Sequence, residues 1–173
     1  MRNKGFTLVE LLVVMSILGV LITLIAGGFR TAQTRGRDAQ RKSDLKEIAN
    51  ALELFYSDYG KYPPESSSFI LACPYNPTIG SGTSCAWGSG EVTDSKTIYF
   101  KMLPDDPNSS QTYIYRIVPG SDDQKYQLFA RLENPEDQDC LAGNCVSPPI
   151  SITCGGSKIC NFSTTSANTT PME

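Results

Sequence analysis

Phe6-Thr7-Leu8-Val9-Glu10-Leu11-Leu12-Val13-Val14-Met15-Ser16-Ile17-Leu18-Gly19-Val20-Leu21-Ile22-Thr23-Leu24-Ile25-Ala26-Gly27-Gly28-Phe29 is the stretch on which the rest of the chain turns. Of its 24 residues 17 are apolar, and only Glu10 is charged. Coiled as a helix at about 1.5 Å per residue, it reaches roughly 36 Å, enough to cross a hydrocarbon core of about 30 Å. A secretory signal has a shorter apolar run, about 7–15 residues, and ends at a small-residue cleavage site. Here the run is longer and leads into a polar segment, so a retained membrane helix is expected. A carboxylate inside such a helix costs about 2.5–3.5 kcal/mol unless it is partnered. Glu10 lies four residues after Phe6, on the same helix face. Its candidate partners are its own helix N-terminus, the flanking Arg2 or Lys4, or the new ammonium on Phe6 of another copy if the chain is cut after Gly5.

With that pattern in hand, Lys4-Gly5-Phe6-Thr7-Leu8-Val9-Glu10-Leu11-Leu12 resembles the processing site of type IV pilins and type II secretion pseudopilins. The resemblance implies cleavage between Gly5 and Phe6 by a prepilin peptidase, N-methylation of Phe6, and assembly through Phe6 and Glu10. Without a Cβ, Gly5 suits a tight peptidase cleft. Further implications are a homo-oligomer built as a helical filament, an assembly platform with its ATPase, and membrane lipid as the surroundings before assembly. The precursor is expected in the cell membrane with its N-terminus cytoplasmic, and the mature protein in an extracellular pilus. A subunit of a type II secretion pseudopilus is the alternative, followed by a membrane-anchored extracellular binding domain that never assembles.

Outward from the apolar run, residues 30–59 read as an amphipathic continuation of the same helix. Leu45, Ile48, Ala49, Leu52, Phe55, Tyr56 and Tyr59 recur at helical spacing and form one stripe. Gly60 and then Pro63-Pro64 supply the stop. No proline interrupts residues 6–59, whereas Gly19, Gly27 and Gly28 are the weak points, each costing about 1 kcal/mol relative to alanine. Arg30, Arg35, Arg37, Arg41, Lys42 and Lys46 face only Asp38 and Asp44 over the first part of this segment. Taken alone, the positive-inside rule puts such a cluster in the cytoplasm. The long domain and the cysteines beyond it favour the outside, with the basic run solvated, on lipid head groups, or against acidic surface of a neighbour.

Residues 60–160 carry the expected exported α+β domain, a small antiparallel sheet with disulfide-braced loops beneath the helix. Thr112–Val118 and Lys125–Leu132 flank a turn cluster and read as a hairpin. Ile98–Leu103 and Val146–Thr153 are weaker strands, the second confined to an edge by Pro148 and Pro149. The stretch 65–95 reads as loop, and 161–173 as a flexible polar tail. Tyr59-Gly60-Lys61-Tyr62-Pro63 and Leu103-Pro104-Asp105-Asp106-Pro107 are similar to stretches of major pseudopilins, but the tryptophan and glycine that often follow Asp-Pro there are missing.

All six cysteines, Cys73, Cys85, Cys140, Cys145, Cys154 and Cys160, fall in this part and suggest up to three bridges among 15 connectivities, with local pairing expected. A Cys₄ zinc site is the alternative, although the spacings are longer than zinc pairs usually have. Glu133, Glu136, Asp137 and Asp139 are candidate calcium ligands, since hard cations take oxygen and some pseudopilins resembling this chain bind calcium near their C-terminus. Asn108, Asn161 and Asn168 each begin a glycosylation-type triplet. With 15 Lys+Arg, 18 Asp+Glu and no histidine, the chain lacks the imidazole of Ser-His-Asp and Cys-His triads and of histidine-bound metals. Its net charge of −3 argues against general nucleic-acid binding. The expected role is structural, not enzymatic, with no catalytic residue and no cofactor beyond the candidate calcium.

Overall fold

The computed structural model describes residues 5–173 and, within the helix, all side chains except those of 24–27. The leader residues 1–4, and with them Arg2 and Lys4, lie outside the described residues. One helix, α1 (Leu8–Tyr59), runs 52 residues. It ends where Gly60 takes a left-handed conformation (φ 67°) and returns its N–H to the Tyr56 carbonyl at 2.7 Å. A Cβ is strained in that conformation, so the predicted stop has its physical basis in this residue. α1 passes through Gly19, Gly27 and Gly28 without a break.

Among the described side chains, only those of the distal half of α1 are covered. Leu45, Ile48, Ala49, Leu52 and Phe55 are buried, with Tyr56 and Tyr59 packed at the margin. Opposite them lie Ile70, Ala72, Tyr75, Tyr99, Leu103, Tyr113, Tyr115, Tyr126 and Leu128. The predicted stripe is therefore the face that the helix lays on the sheets.

Three small antiparallel sheets supply the other layer. β1 (Glu65–Ser66), β2 (Phe69–Asn76) and β3 (Ser81–Ser84) form one, and β4 (Val92–Thr93) pairs with β5 (Ile98–Phe100). The region expected as loop thus carries four short strands. Their register is irregular between Leu71 and Tyr75, so simple alternation does not mark them. A Cβ at Gly82 would collide with the Pro74 carbonyl oxygen, which is why β3 needs glycine where it crosses β2.

The third sheet is β6 (Ile114–Ile117), β7 (Tyr126–Ala130) and β8 (Phe162–Thr165). β6 and β7 are the expected hairpin, paired from Ile114 with Phe129 to Ile117 with Tyr126. All five residues of β7 are buried because both of its faces are covered. Leu128 and Ala130 join the core under α1, whereas Phe129 packs with Ile114, Ile150, Ile152 and the Cys154–Cys160 bridge.

Two further sequence expectations need correction. Val146–Thr153 is not a strand; only Thr153 bridges to Ile159, since Pro148 and Pro149 remove backbone donors and the segment instead lays Ile150 and Ile152 on Phe129. The tail is not loose either. Phe162–Thr165 is β8, and beyond it the Gln127 side chain donates to the Thr170 carbonyl at 2.7 Å while Lys125 pairs with Glu173 at 3.0 Å.

The cysteines join locally as Cys73–Cys85, Cys140–Cys145 and Cys154–Cys160, leaving no described thiol for zinc. Each bridge closes a short loop and restricts the unfolded chain, an effect of about 2–4 kcal/mol in typical proteins.

Candidate functional site

The site begins at the start of α1. Thr7 has extended backbone and caps the helix: its Oγ1 accepts the Glu10 N–H at 3.3 Å. In return the Glu10 carboxylate accepts the Thr7 N–H at 2.9 Å and the Thr7 hydroxyl at 2.6 Å. This reciprocal box satisfies donors that a helix start otherwise leaves open. Within the single chain, Glu10 therefore serves its own helix N-terminus. Sequence reading named that possibility but not the threonine that completes it, although Thr-x-x-Glu is a capping pattern.

From Phe6 to Ile22 every large apolar side chain is exposed, Phe6 at 73% and Leu8 at 78%. Among the described residues, α1 is the one helix long and apolar enough to cross a membrane, with a window of mean hydropathy 2.8. The polar residues inside this run are self-satisfied. Ser16 donates to the Val13 carbonyl at 2.8 Å and Thr23 to the Val20 carbonyl at 2.7 Å, so neither hydroxyl is left unpaired in an apolar medium.

Past the apolar run, the basic cluster divides. Arg30, Arg35 and Lys46 are exposed, whereas Arg37, Arg41 and Lys42 turn onto the folded domain. Arg41 is fully buried and forks onto Asp106 at 2.8 and 2.7 Å, with Asp38 and Glu133 also at 2.8 Å. Burial works against its charge, but the hydrogen bonds it donates to Asp106 and Glu133 outweigh it and hold the guanidinium above its ordinary value. The two oxygens of Asp38 accept the backbone N–H groups of Glu133 and Asn134 at 2.9 and 2.8 Å. Glu133 pairs with Arg37, whose guanidinium holds the carboxyl down at about 2 against the opposing effect of burial.

Three of the candidate calcium ligands thus meet cations of the chain itself: Glu133 with Arg37 and Arg41, and Asp137 and Asp139 with Lys42. Glu136 stays exposed. Among the described residues, no group of three or more acidic or sulfur side chains converges as a metal site would require. Sequence reading saw the basic run and the acidic run but not their pairing.

A helix capped at a Thr-x-x-Glu box, bare over one half and packed on small sheets over the other, is the arrangement expected of a filament-forming subunit. The family described as a prokaryotic N-terminal methylation motif matches residues 1–26. Type II secretion system core protein G of Pseudomonas aeruginosa is 32% identical over 146 residues, covering 83% of this chain and 95% of that protein. Type IV major pilin protein PilA of Myxococcus xanthus is 31% identical over 94 residues, covering 54% of this chain but only 43% of that pilin. Type IV wide pilus major component PilA4 of Thermus thermophilus is 28% identical over 112 residues, with 61% and 86% covered. No solved structure matches significantly. The chain belongs to the family of type IV pilins and type II secretion pseudopilins.

Proposed function

We propose that this chain is a structural subunit of a type IV pilus, cut between Gly5 and Phe6, N-methylated on Phe6 and polymerised through residues 6–29. The observation that carries the reading is the division of α1: its proximal half offers bare apolar side chains and its distal half is fastened to the domain. Helices in lipid gain little from apolar contact with one another, so a polar contact has to choose the register of assembly. Glu10 is the one acid in that half, and the ammonium of a neighbour's Phe6 is the complementary charge once the leader is gone. In this reading the Thr7 box holds the carboxylate in place until the neighbour arrives. Gly19, Gly27 and Gly28 are where the proximal helix would yield inside the filament.

The precursor sits in the cell membrane with its N-terminus in the cytoplasm, and the mature chain ends in an extracellular filament. Its partners are copies of itself, the prepilin peptidase, an assembly platform and an ATPase that supplies the work. The role is structural rather than catalytic. Three bridged loops favour display outside the cell. A second reading, a pseudopilin of a type II secretion system, is favoured by the near-complete coverage of the Pseudomonas core protein G.

Electron microscopy of sheared cell surfaces, with mass spectrometry of the N-terminus, tests both readings. Long filaments beginning at methylated Phe6 are expected, and Glu10→Ala is expected to give processed chain without filaments. Filament yield at the wild-type level in that variant would defeat the pairing. Native material that begins at Met1 and stays monomeric would defeat the pilus and the pseudopilus alike.

A further inference from the structure

The acidic segment 133–139 is held on α1 by three consecutive contacts: Asp38 on the backbone of Glu133 and Asn134, Arg37 and Arg41 on the Glu133 carboxylate, and Lys42 on Asp137 and Asp139. The last is the informative one. The Lys42 ammonium sits 2.7 Å from Asp137 Oδ1 and 2.7 Å from Asp139 Oδ2, bridging two carboxylates two residues apart. Asp137 Oδ1 also accepts the Asp139 N–H at 3.0 Å, so the loop is folded around these oxygens. The Phe162 ring lies 6.0 Å beyond the ammonium, adding its face to the enclosure.

A calcium ion gathers six to eight oxygens at about 2.3–2.6 Å. The residues present do not fit that requirement. Glu133 is committed to two guanidinium groups, and the gap between Asp137 and Asp139 holds an ammonium that carries its own positive charge and three N–H donors.

We infer that Lys42 takes the place a divalent cation would occupy in cross-linking this loop, making the segment before the Cys140–Cys145 bridge a metal-independent latch on α1. A tethered cation need not be captured from solution, so the latch closes whenever the helix and the loop are folded. Its location also follows from the helix: Lys42 adjoins Arg41, and Arg41 lies one turn beyond Arg37, so one stretch of α1 serves the whole segment. The inference is independent of whether the filament is a pilus or a pseudopilus.

The test is thermal unfolding of the full chain in detergent, followed by circular dichroism in millimolar calcium chloride and in excess chelator. Wild type is expected to melt at one temperature in both. Lys42→Gln is expected to melt about 2–4 °C lower in chelator and to recover part of that loss in calcium, because two carboxylates are then open. A calcium-dependent rise for wild type overturns the inference, as does a glutamine variant that melts like wild type in chelator or is unmoved by calcium. Should the glutamine variant not fold, Asp139→Asn removes one arm of the bridge from an exposed side chain. That variant is expected to melt lower by the same amount with or without calcium, and wild-type melting would overturn the inference equally.

Discussion

Gly5 illustrates how far a single residue can be read from physical chemistry. A Cβ built on it meets nothing within 4 Å, so the fold itself makes no demand for glycine there. In the proposed function the demand belongs to the processing step. Gly5→Leu is therefore expected to leave stability unchanged and to abolish removal of the leader, read as an intact-mass increase over the wild-type mature chain; an unchanged mature mass would contradict the cleavage site. Asn161 makes the opposite point. It begins a glycosylation-type triplet, yet it is fully buried and its amide is committed: Oδ1 accepts the Leu132 N–H at 2.6 Å, and Nδ2 donates to the carbonyls of Leu132 and Cys145. Short motifs report residue type, and only packing decides whether the side chain is available. The N-terminal methylation motif, matched over residues 1–26, was legible because its pattern is local, whereas the role of Asn161 depends on a strand that the composition of the tail concealed.

At the scale of elements, α1 is the part the chain announces most clearly. Its stripe from Leu45 to Tyr59 follows from spacing alone, and its stop from Gly60. Phe55 is the centre of the packed face, its ring 4.7, 4.9 and 5.1 Å from the rings of Tyr59, Tyr75 and Tyr99. Truncation there removes a large side chain that its neighbours cannot replace. Phe55→Ala is expected to lower stability by about 3–5 kcal/mol in urea unfolding of the full chain in detergent, and a loss below about 1 kcal/mol would show that the helix is not seated as described. The strands divide by how much of their pairing is visible locally. β6 and β7 show β-branched and aromatic residues around a turn. β8 does not: Ser163, Thr164 and Thr165 are half-buried on an edge, and their strand exists because β7 offers Gln127 to Ala130 for pairing. β2 was missed for a different reason, since its pairing shifts between Leu71 and Tyr75 and the period of two is lost.

For the molecule as a whole, the charges that fasten helix to domain lie 65 to 97 positions apart in sequence, and that separation is why the basic and acidic runs could not be matched beforehand. Their titration gives a measurable consequence. The Arg37 guanidinium holds Glu133 at about 2, and the Tyr59 hydroxyl, with backbone N–H groups of the 94–97 turn, holds Asp94 at about 2. Both lie below the ordinary carboxylate range, so the stability they contribute is complete above that range and disappears as pH falls through their folded values. Asp44 is shifted the other way: burial raises it, and its contribution is present at low pH and lost as pH rises. Burial raises Glu65 in the same direction as Asp44, but the two strongly lowered groups outweigh these two smaller upward shifts. The melting temperature is therefore expected to fall between about pH 4.5 and 2, followed by circular dichroism at fixed ionic strength. Glu133→Gln is expected to flatten part of that fall, and a profile level across the interval would contradict the assignment.

The side chains from Phe6 to Ile22 are uncovered, and among the described residues nothing folded beside them supplies a lining. A rod so naked has no tolerable existence in water even for the time needed to diffuse across a gap. In the proposed filament, transfer out of the bilayer is consequently expected to be a slide from one oily environment straight into another, with the receiving end of the polymer seated at the membrane surface. The same argument reaches the bench: every preparation of the intact chain needs an amphiphile as chaperone from lysis onward.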